Sequence, residues 1–145
     1  MTFPELIAAL EKAEGPSETL DLTIWKYLHS DTTDHGVWHA NGIRFIAHHT
    51  EYTKRRYADA NRVLLGRANE ADYKQHDPLL AYTSNIDAAL KLVPKGMEWS
   101  ISTLYGQALV DVGLNIDETT QVHRRDGNIS LALCIAALKA REAKS

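Results

Sequence analysis

From Thr2 to His29 the apolar positions recur at helical spacing, in two separate runs. Leu6, Ile7 and Leu10 form one apolar face. Thr2 can cap that run, and Glu5 stands three residues on, as in a capping box. Pro4 falls in the first turn, where a missing N–H is tolerated. "EGPS" ends the helix. Gly15 suits the position past the last turn, Pro16 cannot continue the helix, and Ser17 can cap the next one. Leu20, Ile24 and Leu28 then follow at i, i+4 and i+8, with Trp25 beside them. Two helices joined so tightly form an αα-hairpin.

The period then changes to two. "VWHANGIRFI" places two apolar-rich runs around Asn41-Gly42, the strongest short signal for a β-hairpin. A two-residue turn sets the register: Ala40 faces Ile43, His39 faces Arg44, Trp38 faces Phe45, Val37 faces Ile46, and His35 faces His48. Alternation puts Trp38, Ala40, Ile43, Phe45 and Ala47 on one face, expected to be the core face. His35, Val37, His39, Arg44, Ile46 and His48 share the other, expected to meet water.

Residues 50–78 carry charge, one short apolar patch at Val63-Leu64-Leu65, and Gly66, and read as a variable arm or insertion. A third helix is expected from Thr83 or Ser84, with Ile86, Ala89, Leu90 and Val93 on one face, ended by "VPKG". "EWSISTLYGQALVDVG" reads as a second hairpin and "TTQVHRR" as a further strand. "DGN" is a turn, and Asn128 can cap a last helix. "ISLALCIAALKA" is apolar nearly all round, which predicts burial on more than one side. Helices therefore interrupt mainly antiparallel strands. The expected fold class is α+β: one antiparallel sheet with helices packed on it, an α-β-α sandwich in a single domain over 1–145.

Composition narrows the functional classes. The 145 residues hold 16 Lys and Arg against 19 Asp and Glu, a formal charge of −3. No basic excess points to duplex nucleic acid. The start lacks the features of a signal peptide, and no apolar run reaches the ~20 residues of a membrane span. The one cysteine, Cys134, cannot form an intrachain disulfide. A cytoplasmic location is the default expectation.

Four of seven histidines lie between His35 and His49. His35 and His39 have helical i, i+4 metal spacing, but on a strand four residues span roughly 13 Å, too far for one ion. His35 and His48 face each other, but a zinc site typically wants three or four protein ligands. No metal site is expected. The same strand face reads either as a solvated surface or as an anion platform, with His39 and Arg44 as donors and Lys54-Arg55-Arg56 following. "YTSN" (Tyr82, Thr83, Ser84, Asn85) and "RRDGNIS" from Arg124-Arg125 lie at helix starts. Plain capping by Thr83 or Ser84 and by Asn128 is the first reading of these starts, and phosphate held on free N–H groups is the second. Neither carries the glycine pattern of a P-loop or a dinucleotide fingerprint, so no cofactor is expected. No GxSxG, HExxH or local Cys-His arrangement supports catalysis.

Three stretches, "LIAALEKAEGPSETLDLTIW", "YTSNIDAALKLVP" and "SLALCIAALKAR", together resemble the phage ABA sandwich domain family of small phage and prophage proteins. They cover roughly a third of the chain. The resemblance implies helix–sheet–helix layering and brings no catalytic residues. Its phage context implies a binding protein, in particular one that sequesters a small anionic nucleotide signal of bacterial immunity, often as a homo-oligomer. On that reading Trp38 or Tyr82 stacks on the ligand. His39, Arg44, Thr83, Ser84, Arg124 and Arg125 contact its phosphates. The alternative is a protein–protein inhibitor or adaptor of a host protein, marked by an exposed apolar patch.

Overall fold

The computed structural model describes residues 2–29, 35–40, 43–48, 78–114 and 118–144; within the strands of 35–48, it describes only the side chains of Val37, Arg44 and Ile46. The chain divides into two compact units, Met1–Thr23 with Ala81–Ser145, and Ile24–Leu80.

In the first unit α1 (Phe3–Lys12) begins with the expected capping box. Thr2 Oγ1 accepts from the Glu5 N–H, and the Glu5 carboxylate accepts from the Thr2 N–H. Ser17 starts α2 (Glu18–Leu28), its hydroxyl accepting from the Leu20 N–H at 3.2 Å. The third helix, α3 (Ile86–Leu90), is shorter than its periodicity predicts. Its cap is Asn85, whose Oδ1 accepts from the Ala88 N–H at 2.9 Å, and not Thr83 or Ser84. Ile86 is exposed, while Ala88, Ala89 and Leu92 are buried.

β3 (Glu98–Leu104), β4 (Gln107–Gly113) and β5 (Thr119–Arg124) form an antiparallel sheet in the order β3-β4-β5. Tyr105 and Gly106, both at positive φ (53° and 76°), make the two-residue turn between β3 and β4. Two consecutive left-handed residues define a type I′ turn, whose twist matches the strands. α4 (Ile129–Lys144) packs on β4 and β5, and α1 and α3 pack on α4. The all-round apolar pattern of α4 is thereby explained, since it is covered by sheet on one side and helices on others. Leu131, Leu133, Ile135 and Leu138 are fully enclosed, and Ala108, Val110 and Val112 of β4 are buried with them. The fold is α+β, an antiparallel sheet with helices packed against it.

In the second unit β1 (His35–Ala40) and β2 (Ile43–His48) pair in the register read from the sequence, His35 with His48 through Ala40 with Ile43. Among the described residues they form a two-stranded sheet of their own. The face expected to meet water carries Ile46, which is fully buried, and Val37 and Arg44, which are partly so. The reason is in the pairing: Val37 and Ile46 are cross-strand partners, and an apolar pair of that size favours cover over hydration. Leu79 is buried as well, and its N–H donates to the Arg44 carbonyl at 2.9 Å. The Asn41-Gly42 turn and the arm over residues 50–77 lie outside the described residues.

Candidate functional site

A groove of about 500 Å³ runs along the outer edge of β5 in the first unit. Its floor and walls come from β5, the β5–α4 turn, α4 and the end of α1. Arg125 and Lys139 bring positive charge to it, and Glu11 and Asp126 bring negative charge. The Lys139 ammonium lies 3.2 Å from Glu11 Oε1, and both side chains are largely exposed. An ion pair so exposed contributes little to stability. It leaves Lys139 able to exchange Glu11 for another anion.

The hairpin geometry also fixes where the β5 backbone points. A two-residue turn makes Leu104–Gln107 a hydrogen-bonded pair, and pairs alternate from there across β4. Thr120, Val122 and Arg124 therefore bond to β4, and the N–H and C=O groups of Gln121 and His123 face the groove. The His123 side chain is on the other face of the sheet, where Nε2 meets Gln107 Oε1 at 2.5 Å. Its main chain, and not its imidazole, borders the groove.

Arg124 has a different task from the one read in the sequence. Nη1 donates to the Leu10 carbonyl at 3.1 Å and Nη2 to the Ala13 carbonyl at 2.8 Å, closing the C-terminus of α1. Nε donates to Asp126 Oδ1 at 2.9 Å, and Nη2 also meets Oδ2 of that carboxylate. The guanidinium is thus a structural clamp at the rear of the groove, and it is not available as a phosphate contact.

The Arg124 guanidinium, with the Asn128 N–H at 3.0 Å, holds the Asp126 carboxyl down at about 2 from its usual 3.8. A carboxylate whose pKa is lowered by folding adds stability above its unfolded value. That contribution is complete above about pH 4 and is lost as pH falls towards 2. Asp126 is 40% exposed, so the contribution is under ~1 kcal/mol. Melting temperature followed from pH 6 to pH 2 should fall less steeply for Asp126→Asn than for wild type over that acid limb.

Two other expected ligand contacts are interior. Tyr82 is 4% exposed, so its ring cannot serve as a stacking platform. Burial, with Asp21 next in effect, raises its phenol pKa. Thr83 is fully buried. Its N–H and hydroxyl both donate to Asp21 Oδ1, at 2.8 and 2.9 Å, and its oxygen accepts from the Ser17 N–H at 2.8 Å. Thr83 thus ties the chain before α3 to the start of α2. Ser84 is exposed and borders a shallow depression beside the start of α4. Arg125 is exposed and lines the groove. Arg44 belongs to the second unit, and the side chains of Trp38, His39, His35 and His48 lie outside the described residues. Sequence reasoning missed Lys139. It stands out as the one charged residue in the run from Leu131 to Ala140, which is the signal that could have found it.

Cys134 is buried in α4, its Sγ donating to the Tyr82 carbonyl at 3.1 Å, and burial pushes its thiol pKa up. Among the described residues no group of three or more His, Cys, Asp or Glu could hold a metal, and no helix is long and apolar enough to cross a membrane.

The first unit is thus an α+β domain with an open polar groove along a sheet edge. No family model matches the chain, and no match is found among curated proteins or solved structures.

Proposed function

We propose that the protein is a phage-encoded, non-catalytic binding protein that holds a small anionic, nucleotide-like ligand in the groove beside β5. The observation that carries this reading is the pairing of two cationic side chains, Arg125 and Lys139, with outward main-chain N–H groups of an edge strand. Both kinds of donor suit phosphate oxygens. The groove's volume of about 500 Å³ is in the range of small-molecule sites. With Arg124, Arg125 and Lys139 against Glu11 and Asp126, the groove has a local formal charge of +1, within a chain of −3. Such contrast draws a small anion without attracting a long polyanion. Sequestration of a nucleotide signal in the cytoplasm of an infected bacterium is the biological role that fits this chemistry. Binding without turnover fits the enclosure of Cys134, which keeps the thiol from acting as a nucleophile.

Titration calorimetry with ADP-ribose and with a cyclic dinucleotide tests the site. Arg125→Ala and Lys139→Ala should each weaken binding at least tenfold, about 1.5 kcal/mol for a charge-assisted hydrogen bond. Glu11→Gln should tighten it a few-fold, because the competing carboxylate is gone. Unchanged affinity in the Arg125→Ala/Lys139→Ala double variant would remove this groove from the account.

A further inference from the structure

The helix layer covers β4 and β5, and β3 extends beyond it. Six of its seven residues are exposed, with Ile101 partly so. Trp99 is 48% exposed and Leu104 68%. Natural edge strands of this length are usually blunted by proline, lysine or a bulge. β3 has none of these: it contains neither residue type, and its register with β4 is continuous from Glu98 to Leu104. The alternation set by the Tyr105-Gly106 turn directs the N–H and C=O groups of Trp99, Ile101 and Thr103 to the edge that no other described strand pairs with.

We propose that β3 is a self-pairing interface, joining two copies of this chain antiparallel about a two-fold axis at Ile101. The strand's own sequence selects a second copy as the occupant. A two-fold axis at the strand's midpoint pairs residue 101 with its own counterpart, 99 with 103, 100 with 102, and 98 with 104. The three outward-facing backbone positions are symmetric about the same point. All of them find partners together, giving about six main-chain hydrogen bonds. On one face Trp99 and Ile101 meet Thr103 and Ile101 of the second copy. On the other, serine meets serine. Glu98, the only charge in the strand, falls opposite Leu104 and not opposite itself, so no like charges are brought together. The result is a continuous six-stranded sheet. The strand and its exposed aromatic surface bury on the order of 500 Å² per copy, against about 800 Å² per partner in a standard interface. The dimer is therefore concentration-dependent.

Sedimentation velocity on the full chain across a concentration series tests this. Wild type should move from 16.2 kDa towards twice that mass. Ile101→Lys alone and Ile101→Glu alone should each stay at the single-chain mass, because like charges then face each other across the axis. An equimolar mixture of the two should re-form the dimer, which only folded chains paired in this register can do. A wild type that stays at 16.2 kDa at the highest soluble concentration would overturn the proposal. So would single variants that associate like wild type, or a mixture that fails to re-associate.

Discussion

Replacing Asp21 with alanine is expected to destabilise the protein by about 3–4 kcal/mol, with the denaturant slope unchanged. Asp21 is 2% exposed, and its Oδ1 accepts from both the N–H and the hydroxyl of Thr83. Truncation removes two hydrogen bonds to a charged acceptor and leaves the Thr83 N–H buried without its partner. Hydrogen bonds of this kind are worth ~1.5–3 kcal/mol each, a loss that already includes the cost of the orphaned donor. Thr83→Val keeps the shape and the N–H bond to Asp21 but removes the hydroxyl's bonds to Asp21 and Ser17, so it should cost somewhat less, about 2–3 kcal/mol. Urea unfolding of the two variants separates the contributions. A loss under about 1 kcal/mol for Asp21→Ala would show that this cluster does not hold α2 to the chain before α3.

Gly127→Ala should also be severe. Gly127 sits at φ +74°, and a Cβ there would lie 2.3 Å from the Gly106 carbonyl oxygen. The obstacle is backbone, so it cannot rotate aside. The turn between β3 and β4 would have to separate from the turn that starts α4. The left-handed conformation alone costs an L-residue about 1–2 kcal/mol, and the overlap adds to it. For a chain of this size the expected fall in Tm is roughly 10 °C. Gly106→Ala is the control. Gly106 has φ +76° but nothing within 4 Å of an added Cβ, so only the conformational cost applies and the fall should be a few degrees. Equal falls in the two variants would mean that the close approach of the turns has no energetic weight.

Features set by neighbours in the chain were legible in the sequence. The Asn-Gly dipeptide gave the β1–β2 register residue for residue, and Thr2 with Glu5 gave the start of α1. The unbroken apolar run of α4 foretold its enclosure. Features set by distant residues were not. "YTSN" reads as a cap, yet Thr83 is claimed by Asp21, 62 positions away. Arg124 reads as a cation for a ligand, yet its donors go to the carbonyls of Leu10 and Ala13, 114 and 111 positions away. A polar side chain looks the same in sequence whether it awaits a ligand or a helix end. Of the groove's exposed cations, Arg125 is one that the sequence singles out. Lys139 was hidden because an isolated lysine on a buried helix reads as a solvated edge.

A thermal-shift panel on the wild-type chain with cyclic dinucleotides, cyclic trinucleotides and ADP-ribose tests whether the groove beside β5 holds a nucleotide. A ligand at a hundredfold over its dissociation constant stabilises by about 2.7 kcal/mol, a shift of several degrees for a chain of this size. At least one of these anions should produce such a shift, and Arg125→Ala/Lys139→Ala should abolish it. Melting that is unchanged by every anion in the panel would contradict a nucleotide-holding role for the groove beside β5.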